Sequence, residues 1–585
     1  MANRPGVFER LIGLETEYAL AVSRQLPEGS LPGGKYRIFR ELIAQLRRRI
    51  PTVDARHLKE GVFHAGGGAV WFETERPAEG GGLVEGASPE CRSPRQLLAW
   101  QRAQDHLLSG AAEAAFGGDV RLLKNDRDAQ GNIYGAQENY EVDFATGWQL
   151  TAWRISLVLL LPLVAVTWMS LWAMFLGIFL YSVAASLTYL ALEKRVAKPK
   201  ALARFLFGCE FDQLENACPT GPRWLEAFLS FLTRVLTFPL AAILYGLLVA
   251  FAFRKLRRQL TPFLISRPIM VGAGMIDDDG QFHLADKAPA MNCLTGYGGL
   301  LGDRPIYSFG HFFKVAHADS WWNPAEYLQL FSGKQRLQIA IGDSNRAEVA
   351  EYLRIGTTLL VIDAIEAGCL PQPVQPRRPI AALRQICADP SLKAQIPLTS
   401  GGNCTALELQ RSYLEACRAF LHQHGNPPNE AWQILGLWEE TLDTLEHDPS
   451  ELVGSLDWIT KQFLLEKAGQ SAAWEVRKKI DLRYHELSDE GYFDRLQSTG
   501  IPAAILGPAE VEYATRNPPS GTPATVRGRY IREFAGGDEM IVVNWRRIYL
   551  GSGRKRRSID LSLYRPVAQS PTRPSNRKSR RKDQG

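Results

Sequence analysis

A chain of 585 residues, 22% of them charged and 45% hydrophobic, holds material for several packed units and a sizeable core. Its net charge of +6 is mild and gathered in a few local clusters, which argues against a surface built to hold nucleic acid. The eight cysteines (Cys91, Cys209, Cys218, Cys293, Cys369, Cys387, Cys404 and Cys417) form no C-x-x-C pair, so zinc has little support; a disulfide framework is not expected at this size, and a reducing compartment fits.

The opening stretch, MANRPGVFERLIGLETEY, has no apolar core long enough for a signal peptide and leads into a predicted strand. Alternate side chains of a strand share a face, so Glu15 and Glu17 project together. Two neighbouring carboxylates repel unless a cation lies between them, and magnesium takes hard oxygen ligands alongside phosphates. The plain alternative is a solvated strand face. GSLPGGKY from Gly29 approaches a P-loop, but Tyr36 stands where the motif needs Ser or Thr and no clean buried strand precedes it, so that site is rejected. Next, GGGAVWFETERPAEGGGLVEGASPEC carries Glu73, Glu85, Ser88 and Glu90 around a glycine-rich loop at residues 80–82. LLKNDRDAQGNIYGAQENYEVDF reads as a turn-rich loop (Asn125, Asp126, Asp128, Gly131, Asn132) entering an alternating strand.

The character of the chain then changes. Residues 155–192 contain no charge, and a second uncharged run, 235–253, lies between Arg234 and Arg254. A helix of about 20 apolar residues crosses a bilayer. The second run fits one crossing; the first is too long for one upright crossing and short for a tight hairpin. Trp153, Trp168, Trp172 and Tyr189 are candidate interfacial anchors. Globular helices rarely run so far without a charge, so membrane helices are expected here rather than a buried pair. Basic clusters follow each run: Lys194, Arg195, Lys198 and Lys200, then Arg254, Lys255, Arg257 and Arg258. The positive-inside rule favours the cytoplasm for both, whereas two simple crossings put the middle cluster on the other side. If the flanks form one domain, the number of crossings is even.

Downstream, LTPFLISRPIMVGAGMI reads as a short helix and then an apolar strand. LQIAIGDSNRAEVAEYLRIGTTLLVIDAIEAG reads as a strand, a turn at residues 342–345 and a long amphipathic helix that stops at Gly368. Residues 405–467 read as helical, with ALELQRSYLEACRAFLHQ amphipathic. NPPSGTPATVRG marks a loop into a smaller C-terminal unit, and MIVVNWRRIYL alternates as a strand. The Pro-, Ser- and Arg/Lys-rich end, QSPTRPSNRKSRRKDQG, is expected to be disordered; with GRKRR at 553–557 it is a candidate contact for anionic headgroups, or simply a solvated tail.

Seven words in order, GLETEY, EGASPEC, KNDRDAQGNIYGAQENY, IGDSNRAEVAEYLRIGT, LDWITKQ, DLRYHEL and NPPSGTPATVRG, cover almost all of the chain outside the apolar insert and the tail. Together they resemble the Pup ligase and Pup deamidase family, the proteasome accessory factor A family, which is related in fold to glutamine synthetase. The resemblance implies an α+β fold: a glutamine-synthetase-like antiparallel sheet cradle with packed helices, an inserted transmembrane helical segment and a small C-terminal domain. The expected divisions are 1–150 and 261–500 for the two parts of the catalytic domain, 151–260 for the membrane helices and basic loop, 501–565 for the C-terminal domain and 566–585 for the basic tail.

The same resemblance implies a site. Glu15 and Glu85 match magnesium-binding glutamates, with Glu17 beside them, and Trp71 stands at a metal-contacting tyrosine. Glu73 aligns with the catalytic aspartate, a general base; Ser88 aligns with a threonine, and Trp545 with a tryptophan, that contact ATP. The family couples ATP and Mg2+ to amide chemistry at a glutamate side chain. Phosphorylation gives an acyl phosphate, and a lysine amine, deprotonated by a carboxylate base, attacks it. The donor is the C-terminal glutamate of a ubiquitin-like, Pup-like tag, and the acceptor a lysine of a target protein. This sequence departs from the pattern at several places. Ala69 replaces an arginine, Gln137 replaces the histidine of HENY, and SFGH from Ser308 replaces a charged word, with His311 or Arg304 as candidate substitutes for lost phosphate contacts. Asn544 stands where the family often has aspartate, and Glu73 reaches one methylene further than aspartate, a scale to which catalysis is sensitive.

The expected function is a membrane-tethered, ATP- and Mg2+-dependent ligase of the Pup type, integral through its inserted helices, with its catalytic domain in the cytoplasm. Its partners would be tag, target protein and membrane lipid, and no nucleic acid. The alternatives are a Pup-like deamidase or depupylase, a catalytically impaired tag-binding pseudoenzyme, and an amide ligase acting on a small amine. ECRSPRQLLAW resembles the deamidase branch, but GLETEY and the stretch between Tyr18 and Gly67 are more ligase-like, and the ligase is favoured.

Overall fold

The computed structural model describes residues 6–23, 34–57, 59–73, 82–127, 133–196, 198–208, 222–296, 302–372, 374–469 and 472–564. Gly80 and Gly81 of the glycine-rich loop, residues 128–132 of the turn-rich loop, the start of the P-loop-like stretch, Cys209, Cys218 and the tail 566–585 lie outside the described residues.

Two strands read from the sequence, in GLETEY and QENYEVDF, are the centre of a ten-stranded sheet. In chain order the strands up to the insert are β1 (Ile12–Val22), β2 (Thr52–Asp54), β3 (Gly61–His64), β4 (Ala69–Glu73), β5 (Leu83–Ala87), β6 (Val120–Leu123) and β7 (Gln137–Asp143). After it come a small ribbon of β8 (Met275–Ile276) and β9 (Phe282–His283), then β10 (Cys293–Gly296), β11 (Pro305–Ser308) and β12 (Lys334–Ile339). The sheet runs β10-β11-β12-β7-β1-β5-β4-β3-β2, with β6 pairing to the far end of β1. β10 and β11 are parallel; the other pairs are antiparallel.

The period-2 pattern assigns the two faces. Leu14, Thr16, Tyr18, Val70, Phe72, Val84, Gly86, Tyr140 and Leu337 point to one side, where helices cover them. Those helices include α1 (Gly34–Arg49) and α2 (Pro94–Phe116): Phe72 meets Phe39 and Tyr36 of α1, and the Tyr18 hydroxyl donates to Asp105 of α2 at 2.7 Å. Glu15, Glu17, Ala69, Trp71, Glu73, Glu85, Gln137, Arg336 and Gln338 alternate with them and share the other, open face.

The apolar insert forms α3 (Trp148–Leu192), α4 (Pro199–Phe207) and α5 (Arg223–Phe251). Both α3 and α5 are long and apolar enough to cross a membrane, and only 28% of the most apolar stretch of each is buried. Their roots nevertheless belong to the core of the domain. Trp153, Leu157, Leu160 and Val164 of α3, and Leu240, Ala241, Leu244 and Leu248 of α5, are buried there, and the Trp153 indole donates to Leu330 O at 2.7 Å. The two helices therefore leave and re-enter the same domain, and α4 lies back along α3, with the Tyr181 hydroxyl donating to Leu206 O at 3.0 Å.

The chain then continues as α6 (Arg254–Ser266) and α7 (Pro268–Val271), so the expected apolar strand at IMVGAGMI shrinks to the two residues of β8. Short helices α8 (Gly310–Lys314) and α9 (Ser320–Trp322) follow β11, and α10 (Glu348–Glu366) follows β12. α10 was expected to be amphipathic; it is buried on all sides, because Glu351 and Arg354 pair with each other at 2.5 Å and Asp363 pairs with Arg10. Gly368 follows its end with φ 72°, the left-handed turn that glycine supplies freely. The helical stretch beyond includes α11 (Pro379–Cys387), α12 (Ala406–Gln423) and α13 (Asn429–His447), with a ribbon of β13 (Ile396–Pro397) and β14 (Asn403–Cys404). α12 starts with a capping box in which Thr405 and Glu408 satisfy each other's backbone N–H.

The C-terminal unit is a three-stranded sheet of β15 (Ile541–Val543), β16 (Arg547–Leu550) and β17 (Arg557–Asp560). It joins the cradle at its β2 edge, where Arg56 N donates to Val543 O at 2.7 Å.

Candidate active site

Strand register builds the open face. β1 sets Glu15 opposite Ala87 and Gln137, and Glu17 opposite Glu85. β5 in turn sets Glu85 opposite Trp71, and Glu73 follows Trp71 on the same face of β4. Directly opposed side chains on adjacent strands have Cβ atoms roughly 5 Å apart, so Glu17, Glu85 and Trp71 form one rung and Glu73 sits diagonal to Glu85. The expected residues Glu15, Glu17, Trp71, Glu73 and Glu85 are thus brought to one face of three neighbouring strands.

Each of the four carboxylates has a partner from the chain itself. Lys59, in the loop between β2 and β3, forms ion pairs with both Glu73 and Glu85, the second at 2.7 Å. Glu15 accepts from Arg336 at 3.1 Å and from Gln338 at 3.2 Å, and Glu17 accepts from Gly135 N at 2.7 Å. Burial raises the pKa of Glu15 against the pull of Arg336. It pushes Glu17 up to about 7, with Lys287 opposing and Glu85 adding to the rise. It raises Glu85 too, with Lys59 opposing and Glu73 adding. Burial alone would lower Lys59, but Glu85 and Glu73 hold its ammonium above the ordinary lysine range.

Towards β12 the face turns cationic. Arg336 lies beside Glu15, the Lys314 ammonium touches His57 Nε2, and Arg546 reaches Glu326 at 3.4 Å. His57 is pushed down to about 3 by burial, Lys314 and Lys59. Its ring lies against the Trp71 indole at 4.5 Å, so Trp71 walls the site as a buried aromatic and offers no oxygen. His311 follows Ser308 in the SFGHFFK word; burial, then Arg336 and Arg546, hold it neutral, and neither of its ring nitrogens has a hydrogen-bond partner. Arg304, the other proposed substitute, is exposed at the opposite end of β11.

Ser88 and Trp545 sit at the margins. The Ser88 hydroxyl accepts from Leu14 N at 2.9 Å and donates to Pro89 O at 3.2 Å, so it closes the start of β1 against the chain after β5. Trp545 lies in the turn between β15 and β16, ordered by Asn544, whose Oδ1 accepts from Arg546 N at 2.9 Å and Arg547 N at 2.7 Å. The indole packs on Phe63 at 4.9 Å, with the Arg527 guanidinium 4.8 Å from its ring centre. Arg527 also pairs with Glu90 and donates to Gly67 O at 2.8 Å. Gln137 receives a hydrogen bond from Gln338, so the amide that replaces the family histidine is tied into the face.

Sequence reasoning missed Lys59, Lys314, Arg336 and Arg527. Arg527 had a signal, since it stands in the NPPSGTPATVRG word, and Lys314 stands three residues after the SFGH word; Lys59 and Arg336 lie outside the words used, and only the fold shows their destinations.

The described residues do not assemble a ready magnesium site. No group of three or more His, Cys, Asp or Glu side chains among them is arranged to hold a metal ion, and each carboxylate of the face already meets a cation or a backbone N–H of the chain. They do fit an anionic nucleotide: Lys314, Arg336 and Arg546 lie close to a half-buried, unpartnered His311, and the Trp545 ring stands at the β2 edge.

Comparison with known proteins agrees with the fold. The family model described as Pup-ligase protein matches residues 10–549. A depupylase from Acidothermus cellulolyticus is 34% identical over 305 residues, which are 50% of this chain and 57% of that relative, so that match spans little more than half the relative's length. A Pup–protein ligase from Corynebacterium jeikeium is 26% identical over 557 residues, 92% of each chain. Among solved structures, the complex between the prokaryotic ubiquitin-like protein Pup and its ligase PafA matches with a TM-score of 0.64 at 21% identity, covering 96% of this chain and 91% of that one. The Pup ligase PafA in complex with ADP matches with a TM-score of 0.57 at 21% identity, covering 95% and 94%.

Proposed function

The chain belongs to the Pup-ligase family, and from that premise we propose that it is an ATP-dependent ligase joining the C-terminal glutamate side chain of a Pup-like tag to a lysine of a target protein. The observation that carries the proposal is the open face, with Glu15, Glu17, Glu73 and Glu85 from three adjacent strands at one side and Lys314, Arg336 and Arg546 at the other. ATP, when bound, supplies the phosphoryl group that turns the tag carboxylate into a glutamyl phosphate. Lys314, Arg336 and Arg546 would hold the phosphates and Trp545, backed by Arg527, would meet the base. Glu73 accepts the proton of the incoming lysine amine. It suits that task better than Glu85 because its side chain is 29% exposed, against 9% for Glu85, at the end of a strand where a second protein can reach it. Ser88 holds β1 and the chain after β5 together beneath the acids rather than meeting ATP directly. Trp71 shapes the wall.

The proposal places α3 and α5 in a membrane, with the two flanking parts, 1–150 and 261–500, as one catalytic domain at its cytoplasmic surface. A core helix is mostly buried, and these are not.

The test is a conjugation assay on the full chain in detergent, with ATP, Mg2+, a tag ending in glutamate and a lysine-bearing protein. The wild type is expected to form an isopeptide-linked product identified by mass, and Glu73→Gln to lower the rate by about 10²-fold or more, the usual contribution of a general base. Cleavage of preformed conjugate without ligation would replace this reading with the depupylase. A product with a small amine would replace the target lysine, and tag binding without ATP turnover would leave a pseudoenzyme.

A further inference from the structure

We propose that Lys59 is a resident cation of the open face, its ammonium doing between Glu73 and Glu85 what a divalent ion would otherwise do. The nitrogen meets a carboxylate oxygen of each, across two adjacent strands. The two acids are diagonal neighbours on that face, close enough for one small cation to join them.

The lysine is held there by its own loop. Lys59 N donates to His57 Nδ1 at 3.1 Å, the His57 ring rests on Trp71 at 4.5 Å, and His57 Nε2 meets Lys314. Backbone, imidazole and indole together fix where the side chain starts. The remaining acids do not offer the ammonium an alternative: Glu15 is engaged by Arg336 and Gln338, and Glu17 by Gly135. A single positive charge on a flexible stem also differs from a divalent ion in consequence. It neutralises one carboxylate of the pair rather than both, and it cannot be chelated away.

The inference rests on reading Glu73 and Glu85 as acids of the active face, but its test involves neither tag nor nucleotide, so failure of ligation would not touch it. Mn2+ is titrated into the full chain in detergent and its binding followed by electron paramagnetic resonance. Lys59→Ala frees two carboxylates for one ion and is expected to bind Mn2+ about tenfold more tightly than the wild type or better, since affinity at oxygen sites follows the ligand charge available. Lys59→Arg should stay near the wild type, and Lys59→Ala combined with Glu85→Gln should lose the gain. Lys59→Met keeps the apolar stem and serves if the alanine variant does not fold. Equal or weaker Mn2+ binding in the folded alanine or methionine variant would overturn the proposal. So would a wild type that already binds Mn2+ tightly and loses it on Glu85→Gln.

Discussion

His64 ends β3 as a buried side chain whose Nδ1 accepts from Gly66 N at 3.2 Å, an arrangement that needs an unprotonated nitrogen. Burial, helped by Arg527, pushes its pKa down to about 4. A folded-state pKa below the unfolded value of about 6.5 means that the unfolded chain binds the proton more readily. The stability this group contributes is therefore complete above pH 6.5 and is lost as the pH falls from there towards 4, by at most about 3 kcal/mol. His57 and His317, pushed down to about 3 and about 4 by burial, act with the same sign. Glu17 and Asp286, both raised by burial to about 7, act oppositely, losing stability as the pH rises towards neutrality. Melting His64→Gln beside the wild type isolates one group: the gap between them should move in the variant's favour by roughly 2–3 kcal/mol between pH 6.5 and pH 4. A gap that stays constant would show that His64 does not titrate with folding. At this scale legibility depended on reach. Glu15 and Glu17 were readable because strand alternation alone puts them on one face; Glu85 came from the family resemblance, and only the register of β5 against β1 sets it opposite Glu17. Lys59 was not readable, because it meets its partners only after the loop between β2 and β3 has closed.

One scale up, elements that the sequence separates are tied by side chains that local pattern does not mark. Glu138 lies in β7, before the insert, and Arg267 lies after it, at the join of α6 and α7. The guanidinium grips both oxygens of the carboxylate, at 2.6 and 2.9 Å, and donates to Thr358 of α10 at 2.6 Å, while the Tyr140 hydroxyl donates to the same acid at 2.8 Å. Both charges are buried, so the pair is worth most by what its breaking leaves behind. Arg267→Ala is expected to cost about 3–5 kcal/mol in thermal or denaturant unfolding, because Glu138 remains buried and unpaired. Removing both, Arg267→Met with Glu138→Gln, should cost less than Arg267→Ala alone. A loss below about 1 kcal/mol for Arg267→Ala would mean that other contacts hold the flanks together. Helices without charges were legible here from their length. The burial of α10 does not show in its sequence, because its Glu351, Arg354 and Asp363 look like a solvated stripe until their pairing with each other and with Arg10 buries them. The apolar IMV after Arg267 became a helical turn because a stretch buried on all sides carries no period to choose between strand and helix.

For the whole molecule the question is how the outward helices bear on the open face. Sheet order could not be read in advance, since β7 pairs with β12 across the entire insert and only the closed sheet shows that both flanks are one body. That body has a direct link between α3 and the site. The Trp168 indole donates to Ala316 O at 3.1 Å, and the Trp172 ring lies 4.9 Å from Trp321 and 5.8 Å from Trp322. The same short segment carries Lys314 to His57. Tryptophan is favoured at the boundary between hydrocarbon and water, so with α3 in a membrane as proposed these four rings would lie at its surface, close to the cationic side of the face. On the outward part of α3, Met169, Phe179 and Leu187 are 64%, 63% and 63% exposed. Side chains of that size facing water would be costly, and facing lipid they are not. The full chain is therefore expected to float with phospholipid vesicles, with its tryptophan fluorescence quenched by brominated acyl chains near the headgroups. Replacing Met169, Phe179 and Leu187 together by Lys should abolish flotation while leaving the thermal midpoint of the domain within a few degrees, since these side chains are largely exposed and lie beyond the docked root of α3. Equal flotation of the triple variant would remove the hydrocarbon from this account; a domain that unfolds with it would show that the outer helices are part of the core after all.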